Sequence, residues 1–270
     1  MLCGSREIAA RIEKAGVSKS TTDPLRVLAL AVLAGVFIAL GSTFFTVVIY
    51  DSSLINAGLL RLMGGLVFCL GLVLVVVAGA ELFTGNNLIV MAYVEKKVTL
   101  QQVLANWGIV FVGNFMGALG ILVLIYLSGH WQIDSGAVGA KALAIANYKV
   151  NLTWMEAFTR GILCNILVCL AIWLTFAGRT VVDKVLAIIF PITAFVALGF
   201  EHCVANMYLI PAGLLIQQQP EFAQLAASMN LENLTTTNFL TANLLPVTLG
   251  NLVGGSVFVG LFYWFIYLRD

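Results

Sequence analysis

Long apolar stretches, each able to cross a lipid bilayer, restrict the fold of this chain more than any other feature. The first runs without a charged residue from Val27 to Tyr50, between Arg26 and Asp51. Because about 20 apolar residues span the hydrocarbon core, a stretch of this length predicts a transmembrane helix. Charged residues make up 10% of the chain, against roughly 25% in soluble domains, so the chain cannot cover itself with a water-soluble surface. The sequence therefore predicts a polytopic membrane protein.

Six such stretches occur along the chain, and the second and fifth are each interrupted by a carboxylate. The predicted crossings run over 27–50, 62–93 with a break at Glu81, 103–127, 157–176, 185–216 with a break at Glu201-His202, and 239–267. We therefore predict an all-α membrane protein with six transmembrane helices, of which the second and fifth are broken. Residues 1–26 are expected to form a cytoplasmic segment, and residues 27–268 a single transmembrane domain.

The two breaks have a common sequence pattern. Gly79-Ala80-Glu81-Leu82-Phe83-Thr84-Gly85-Asn86 and Gly199-Phe200-Glu201-His202-Cys203-Val204-Ala205-Asn206 both read Gly, any residue, Glu, four residues, Asn. A second match, between Gly113-Asn114-Phe115-Met116-Gly117 and Gly250-Asn251-Leu252-Val253-Gly254, follows in the same order. Glycines four apart let helices approach closely, and a buried Asn can hydrogen-bond across the contact. Three crossings per half is an odd number, so the halves, about 27–128 and 153–268, are predicted to be inverted repeats.

The interrupted helices predict a functional site. A carboxylate at bilayer depth is costly, and a broken helix frees backbone N–H and C=O groups that protein or cavity water must satisfy. We expect Glu81 and Glu201 to cap the free amides of their own loops, with a direct ligand or proton role as the alternative. Backbone freedom and loop hydrogen bonds are expected from Gly79, Gly85, Gly199, Asn86 and Asn206.

His202 lies at the second break, beside a carboxylate, which favours a functional role over a structural one. Desolvation favours neutral imidazole, whereas an approaching anion favours imidazolium. Thr84 can offer a hydroxyl from the other break, and helix N-termini at the breaks add partial positive charge suited to a small anion. The sequence contains no acidic cluster typical of a cation path, no nucleophile–base pair and no cofactor motif. We therefore expect neither an enzyme nor a cofactor or metal.

The five cysteines are odd in number and scattered, with neither a disulfide framework nor a zinc spacing. We interpret Cys3, Cys69, Cys164, Cys169 and Cys203 as small apolar packing residues. An intramembrane enzyme or redox sensor that uses Cys164, Cys169 or Cys203 is an alternative. The formal net charge is +1 and no basic cluster occurs, so the sequence gives no indication of a nucleic-acid partner.

Basic residues are distributed unevenly between the predicted loops. Ten of the fourteen Lys and Arg residues lie in the N-terminal segment, the turn at Lys96-Lys97, the turn from Arg179 to Lys184, and at Arg269. With six crossings, these four segments all fall on one side of the membrane. By the positive-inside rule this side, with both termini, is cytoplasmic. The N-terminal segment itself carries apolar residues at helical spacing, which predicts either an amphipathic helix lying against the inner membrane face or a frayed tail.

These residues make the chain resemble the formate/nitrite transporter family, over about residues 6–268. Besides the two break motifs and Gly113-Asn114, the resemblance rests on Gly161-Ile162-Leu163-Cys164-Asn165, Val168-Cys169-Leu170-Ala171 and Met207. It implies an aquaporin-like six-helix protomer, assembled as a homopentamer in the inner cell membrane, with a substrate path through each protomer.

The resemblance also implies roles for individual residues. His202 corresponds to a central pore histidine, Thr84 to a hydroxyl on the facing loop, and Glu201 to the carboxylate before the histidine. Asn165 corresponds to a pore-side amide, and Lys149 to an outer-loop lysine that draws anions toward the vestibule. The implied hydrophobic constrictions are Phe68 and Phe195 on the outer side, and Leu72, Leu82, Phe83 and Val168 on the inner side.

The function that the resemblance implies is transport of small monovalent anions or their weak acids, with formate first. A bare anion loses its hydration at an apolar gate, which is costly. A proton lent by His202, or by a relay through it, would let a weak acid cross neutral and make transport pH-dependent. Nitrite is the next substrate, followed by hydrosulfide, lactate or acetate. A channel for water, glycerol or ammonia is the alternative class.

Overall fold

The computed structural model describes residues 4–51 and 56–269, and these contain helices and connecting segments but no strand. The expectations for residues 1–3, including Cys3, lie outside the described residues. The helices are α1 (Ser5–Thr21), α2 (Pro24–Val48), α3 (Ala57–Ala78), α4 (Phe83–Asn86), α5 (Val90–Val94), α6 (Leu100–Leu127), α7 (Ala137–Val150), α8 (Trp154–Ala177), α9 (Val181–Ala197), α10 (Cys203–Ile216), α11 (Ala223–Ser228), α12 (Thr236–Asn238), α13 (Leu245–Leu252) and α14 (Phe262–Tyr267). Short 3₁₀ turns occupy Asn87–Ile89, His130–Gln132 and Pro220–Phe222, and π-helical segments join α12, α13 and α14 into one helix.

Five of the described helices are long and apolar enough to cross a membrane: α2, α3, α6, α8 and the continuous helix Thr236–Tyr267. Several of their starts are set by local side chains. Asp23 accepts from the backbone N–H groups of Leu25 and Arg26, and Pro24 occupies the first helical position. Thr99 and Gln102 form a capping box at the start of α6. The predicted all-helical membrane fold is confirmed at this level.

The chain leaves helical geometry at both predicted breaks. Helix α3 ends at Ala78, and α4 begins at Phe83; α9 ends at Ala197, and α10 begins at Cys203. Gly79 and Gly199 have left-handed backbone angles, with φ of 79° and 72°, which a residue with a Cβ adopts only at a cost. Gly85 has no such angle, and a Cβ there would make ordinary contacts with Ile172. The expectation that Gly85 supplies backbone freedom is therefore wrong.

This difference between the glycines can be tested by three alanine substitutions. We expect Gly79→Ala and Gly199→Ala each to lower the free energy of unfolding by about 1–2 kcal/mol, because left-handed backbone strains an L side chain. No heavy atom lies within 4 Å of a Cβ at either position, so the loss would come from the backbone alone. Gly85→Ala is the matched control. The effect is measured by unfolding the purified protein in mixed micelles of rising SDS fraction. Equal unfolding midpoints for Gly85→Ala and Gly199→Ala would contradict this explanation.

The N-terminal helix α1 packs on the protein rather than lying on the membrane surface. Ile8, Ala9 and Ile12 are buried, in one cluster with Leu88, Met91 and Trp173. Glu13 forms an ion pair at 2.7 Å with Lys97, in the turn between α5 and α6. The apolar stripe that predicted a membrane-surface helix is thus covered by neighbouring helices, and neither the surface helix nor the frayed tail describes it.

The segment between the third and fourth long helices, where the resemblance implies an outer-loop lysine, contains the helix α7. Its apolar residues recur at helical spacing, and Val138, Ala142, Leu143, Ala146 and Val150 are buried. Helix α7 packs mainly against α10, the helix that follows the second break. This packing explains why the segment is ordered despite its two lysines, and it places Lys149 on a helix rather than on a loop.

Candidate functional site

Backbone groups freed by the first break are satisfied by one buried side chain of α6. The Oδ1 atom of Asn114 accepts from the N–H of Phe83 at 2.9 Å, and Nδ2 donates to the carbonyls of Ala31 and Glu81 at 2.8 and 2.9 Å. Asn114 is fully buried. Its amide therefore holds the first break between two helices, α2 and α6.

The second break is held by Asn251 with the same set of bonds. Oδ1 of Asn251 accepts from the N–H of Cys203 at 2.9 Å, and Nδ2 donates to the carbonyls of Gly161 and Glu201 at 2.8 and 3.0 Å. The predicted hydrogen bonding of this repeated Asn across a close helix contact is confirmed, and its targets include the breaks themselves. The expectation that the two Glu carboxylates cap these loop amides is wrong.

The Glu201 carboxylate instead belongs to a buried polar cluster with side chains from three other places in the chain. Its Oε1 accepts from Lys149 Nζ at 2.8 Å and its Oε2 from Asn206 Nδ2 at 2.7 Å. Asn206 Nδ2 also donates to Asn243 Oδ1 at 2.7 Å, and Asn243 Nδ2 donates to the Lys149 carbonyl at 2.9 Å. Lys149 is 12% exposed and Glu201 2%. The expected hydrogen bond from Asn206 is present, and Lys149 is engaged rather than free.

Glu81 has a matching cluster at the first break. Its carboxylate accepts from Lys19 Nζ at 2.7 Å and from Asn86 Nδ2 at 2.6 Å. Asn86 Nδ2 also donates to Asn106 Oδ1, and Asn106 Nδ2 donates to the Lys19 carbonyl. Sequence reasoning missed Lys19, which comes from helix α1. The available signal was its position: Lys19 lies five residues before the first residue of α2, as Lys149 lies five before that of α8.

Thr84 and His202 join the two breaks directly. Thr84 Oγ1 lies 2.9 Å from His202 Nε2, and both residues are buried, at 0% and 3% exposure. His202 Nδ1 accepts from the N–H of Ala205 at 3.1 Å and thereby caps α10. Because Nδ1 is an acceptor, a neutral ring carries its proton on Nε2 and donates it to Thr84. The Thr84 hydroxyl proton then remains available as a donor.

Asn165 lies beside this pair and connects it to the last long helix. Its Nδ2 lies within hydrogen-bonding distance of the Thr84 carbonyl, Asn87 Oδ1 and the Asn251 carbonyl, at 3.2, 2.7 and 2.7 Å. Its Oδ1 is buried without a hydrogen-bond partner in the described part of the chain. The sequence-predicted Asn165, Thr84 and His202 are thus brought together.

A cavity of about 420 Å³ reaches His202 from one side. Phe68 and Phe195 line it, with ring centroids 5.6 Å apart in an edge-to-face arrangement, and Phe195 stacks on His202 at 5.9 Å. Lys149 and Glu201 line the same cavity. Phe68 and Phe195, for which the resemblance implies an outer constriction, therefore line the same cavity as the histidine.

A second cavity, of about 270 Å³, approaches from the first break. It is lined by Lys19, Glu81, Asn86 and Leu82, and it has no lining residue in common with the first cavity. Leu72, Phe83 and Val168 are buried in the central hydrophobic cluster and do not line the cavity, while Phe83 also packs edge-to-face on Phe111. Of the four proposed inner constriction residues, Leu82 is the one at the cavity wall.

The remaining candidate ligands and nucleophiles are the acidic, histidine and cysteine side chains of the described residues. Over 4–51 and 56–269, no group of three or more His, Cys, Asp or Glu side chains could hold a metal ion. Cys69, Cys164, Cys169 and Cys203 are free thiols and buried, in keeping with their interpretation as packing residues.

Comparisons with known proteins agree on one family. The family model for formate/nitrite transporters matches residues 6–265. The formate channel FocA of Escherichia coli K12 is 44% identical over 96% of this chain and 92% of its own length; FocA of Haemophilus influenzae is 43% identical over 93% and 89%. A solved pentameric formate channel with formate bound superimposes with a TM-score of 0.84 at 41% identity, covering 91% of this chain and 98% of that one. On this similarity, which spans both breaks and both cavities, the chain belongs to the formate/nitrite transporter family.

Proposed function

We propose that this protein is a membrane channel or transporter that conducts formate through a pore within each protomer. The observation that carries the proposal is the 44% identity to a formate channel over nearly the whole chain. The geometry adds to it: His202 of the buried threonine–histidine contact lines one cavity with lysines on its wall, and Leu82 and Gly85, on either side of Thr84 in the chain, line another. Cationic walls favour an anion over a neutral solute such as water, glycerol or ammonia.

We propose six crossings, an aquaporin-like fold and inverted halves for this chain. The five long helices give five of these crossings, and α9 and α10 together, separated by the second break, give the remaining one, which is the fifth in chain order. The matching bonds of Asn114 and Asn251, and of Glu81 and Glu201, support a repeat of one three-helix unit. Opposite insertion follows from the odd number of crossings in each half.

The orientation follows from the basic residues. Lys19 and Lys184, which the positive-inside rule assigns to the cytoplasm, line one cavity, and Arg61, Lys141 and Lys149 line the other. Both termini are therefore proposed to be cytoplasmic, in the inner cell membrane. By likeness to the pentameric formate channel, this chain is proposed to form a homopentamer.

Within the pore, we assign solvation of the anion to the Thr84 hydroxyl. The His202 Nε2–H would hold Thr84 Oγ1 as an acceptor, which leaves the hydroxyl proton to point at the substrate. Protonation of His202 at Nδ1 would remove its hydrogen bond with Ala205 N–H. We therefore expect a proton that crosses with formate to arrive with the substrate from vestibule water, and His202 to act through its Nε2–H.

Uptake into proteoliposomes tests the proposed substrate. Formate, nitrite, hydrosulfide and glycerol would be compared at external pH 7 and at lower pH, with protein-free liposomes as the control. We expect formate to be taken up faster than the other solutes, and faster on acidification because more weak acid is available. Equal or faster nitrite uptake would place the chain with nitrite transporters, and glycerol uptake without any anion uptake would overturn an anion pathway.

A further inference from the structure

A third phenylalanine, Phe45 on α2, contacts the proposed outer constriction. Its ring meets that of Phe68 edge-to-face, with centroids 6.4 Å apart and planes at 90°. Phe68 packs in the same way on Phe195, and Phe195 stacks on His202. The three phenylalanine rings and the imidazole therefore form one chain of contacts that begins at Phe45. Because such ring pairs have a preferred geometry, a movement of Phe45 changes the position that Phe68 prefers.

The helices that carry the two constriction rings are in direct backbone contact. Phe68 lies on α3 and Phe195 on α9, and Gly65 of α3 lies against Thr193 of α9. A Cβ at Gly65 would come within 2.6 Å of the Thr193 carbonyl oxygen, so the two helices cannot approach each other further. The width of the constriction therefore depends on the orientation of the rings, on which Phe45 acts.

Gly64 makes room for the Phe45 ring. A Cβ at Gly64 would lie 2.9 Å from Cδ2 and Cε2 of Phe45 and 2.7 Å from Cγ2 of Ile49. Contacts this short are not tolerated in a close-packed interior, so both side chains would have to move away from position 64. Phe45 and Ile49 line the cavity of about 420 Å³ that reaches His202, and the open space beside them is this cavity. A larger residue at position 64 is therefore expected to narrow the entrance.

We propose that Phe45 and Gly64 set the width of the outer constriction, and with it the largest carboxylate that the pore admits. Both are positioning residues, because Phe45 acts through the Phe68 ring and Gly64 acts through Phe45. The inference rests on the proposed function and adds a size limit to it. Formate has no carbon beyond its carboxylate, whereas each added methyl or methylene group of a longer carboxylate must pass between the rings.

Two substitutions are expected to change this limit in opposite directions. Phe45→Val removes the ring that contacts Phe68, so Phe68 can turn toward the vacated space and the entrance widens. Because one methylene in an apolar pocket changes rates by roughly 10- to 200-fold, we expect the ratio of acetate to formate uptake to rise at least about five-fold in Phe45→Val. Gly64→Ala moves the Phe45 ring toward the cavity, and the same ratio should fall by a similar factor.

Uptake into proteoliposomes measures these ratios. Formate, acetate and propionate would be offered separately at one external pH, far below saturation, to wild type and to each variant. A variant that is merely less stable has fewer active pores and lowers all three rates equally, so a ratio does not report partial misfolding. Acetic and propionic acids are of nearly equal strength, so the ratio of propionate to acetate uptake reports size alone and should change in the same direction.

The double variant Gly64→Ala/Phe45→Val tests whether the glycine acts through the ring. Valine lacks both ring atoms that the new Cβ would contact, and it leaves space into which Ile49 can turn. The double variant should therefore admit acetate about as well as Phe45→Val alone. Two control variants should keep the wild-type ratios. Phe44→Val removes a neighbouring ring that is 45% exposed and outside the cavity, and Gly120→Ala adds a Cβ with no heavy atom within 4 Å.

The possible failures of the inference and of the proposed function differ. Wild-type formate uptake with an unchanged acetate-to-formate ratio in either Phe45→Val or Gly64→Ala would overturn this inference alone. A double variant as restrictive as Gly64→Ala would also overturn it, because the glycine would then act without the ring. A wild type inactive with formate, nitrite and hydrosulfide would overturn the proposed function and the inference with it.

Discussion

Neutralising Glu201 by Glu201→Gln is expected to lower the free energy of unfolding by about 3–5 kcal/mol, the cost typical of removing one partner from a buried ion pair. Lys149 would keep its charge at 12% exposure with no carboxylate beside it. The Lys149 carbonyl also accepts from Asn243, which bonds to Asn206. The loss therefore reaches the helix α7, the second break and the last long helix together.

Two further variants test whether the unpaired charge causes this loss. Glu81→Gln removes the matching carboxylate, but Lys19 is 30% exposed and water can solvate it. We expect a smaller loss there, of about 1 kcal/mol or less, as for exposed pairs. Lys149→Met/Glu201→Gln removes both charges and should recover most of the stability. SDS titration of each purified variant measures the change, and a double variant less stable than Glu201→Gln alone would contradict the explanation.

The repeat allowed much of the site to be predicted from sequence. Two matched motifs in one order identified both breaks, and the buried Asn of each Gly-Asn pair was expected to hydrogen-bond across a helix contact. The partners of the Glu carboxylates could not be read in the same way. Sequence shows that a buried carboxylate needs donors, but several donors were available, and only the packing of α1 and α7 brings Lys19 and Lys149 to Glu81 and Glu201.

The errors in the fold have a similar cause. Helix α7 is not evident from the sequence, because Lys141 and Lys149 make the segment between two long apolar helices resemble a polar loop. Its apolar residues form a stripe that only gains a partner when α10 packs on it. The apolar stripe of α1 predicts either a helix on the membrane surface or a frayed tail, because the sequence does not distinguish a bilayer from a protein surface as the cover of such a stripe. Amphipathic spacing predicts that one face of a helix is covered. Tertiary packing determines whether lipid or another part of the protein covers it.

Replacing Thr84 by Val is expected to lower formate flux by roughly 10- to 100-fold. Valine keeps the shape of threonine and removes the hydroxyl that we assign to the anion. A hydrogen bond to a charged group contributes about 1.5–3 kcal/mol, which corresponds to that range of rates if the bond is made at the highest barrier. Thr84→Ser keeps the hydroxyl and is the matched control, and it should retain flux within a few-fold. Equal flux through Thr84→Val and wild type would remove Thr84 from the pathway.

His202→Asn completes this test because it separates the two bonds that the ring makes. Asparagine is a favoured N-cap residue, so it should keep a hydrogen bond to the N–H of Ala205 and preserve the start of α10. Its shorter side chain cannot reproduce the Nε2–H that bonds Thr84. We therefore expect unfolding close to wild type and flux reduced as in Thr84→Val, with acidification still raising the rate. If acid stimulation disappears in His202→Asn, the proton comes through the histidine itself, and the bond between Nδ1 and Ala205 must open during transport.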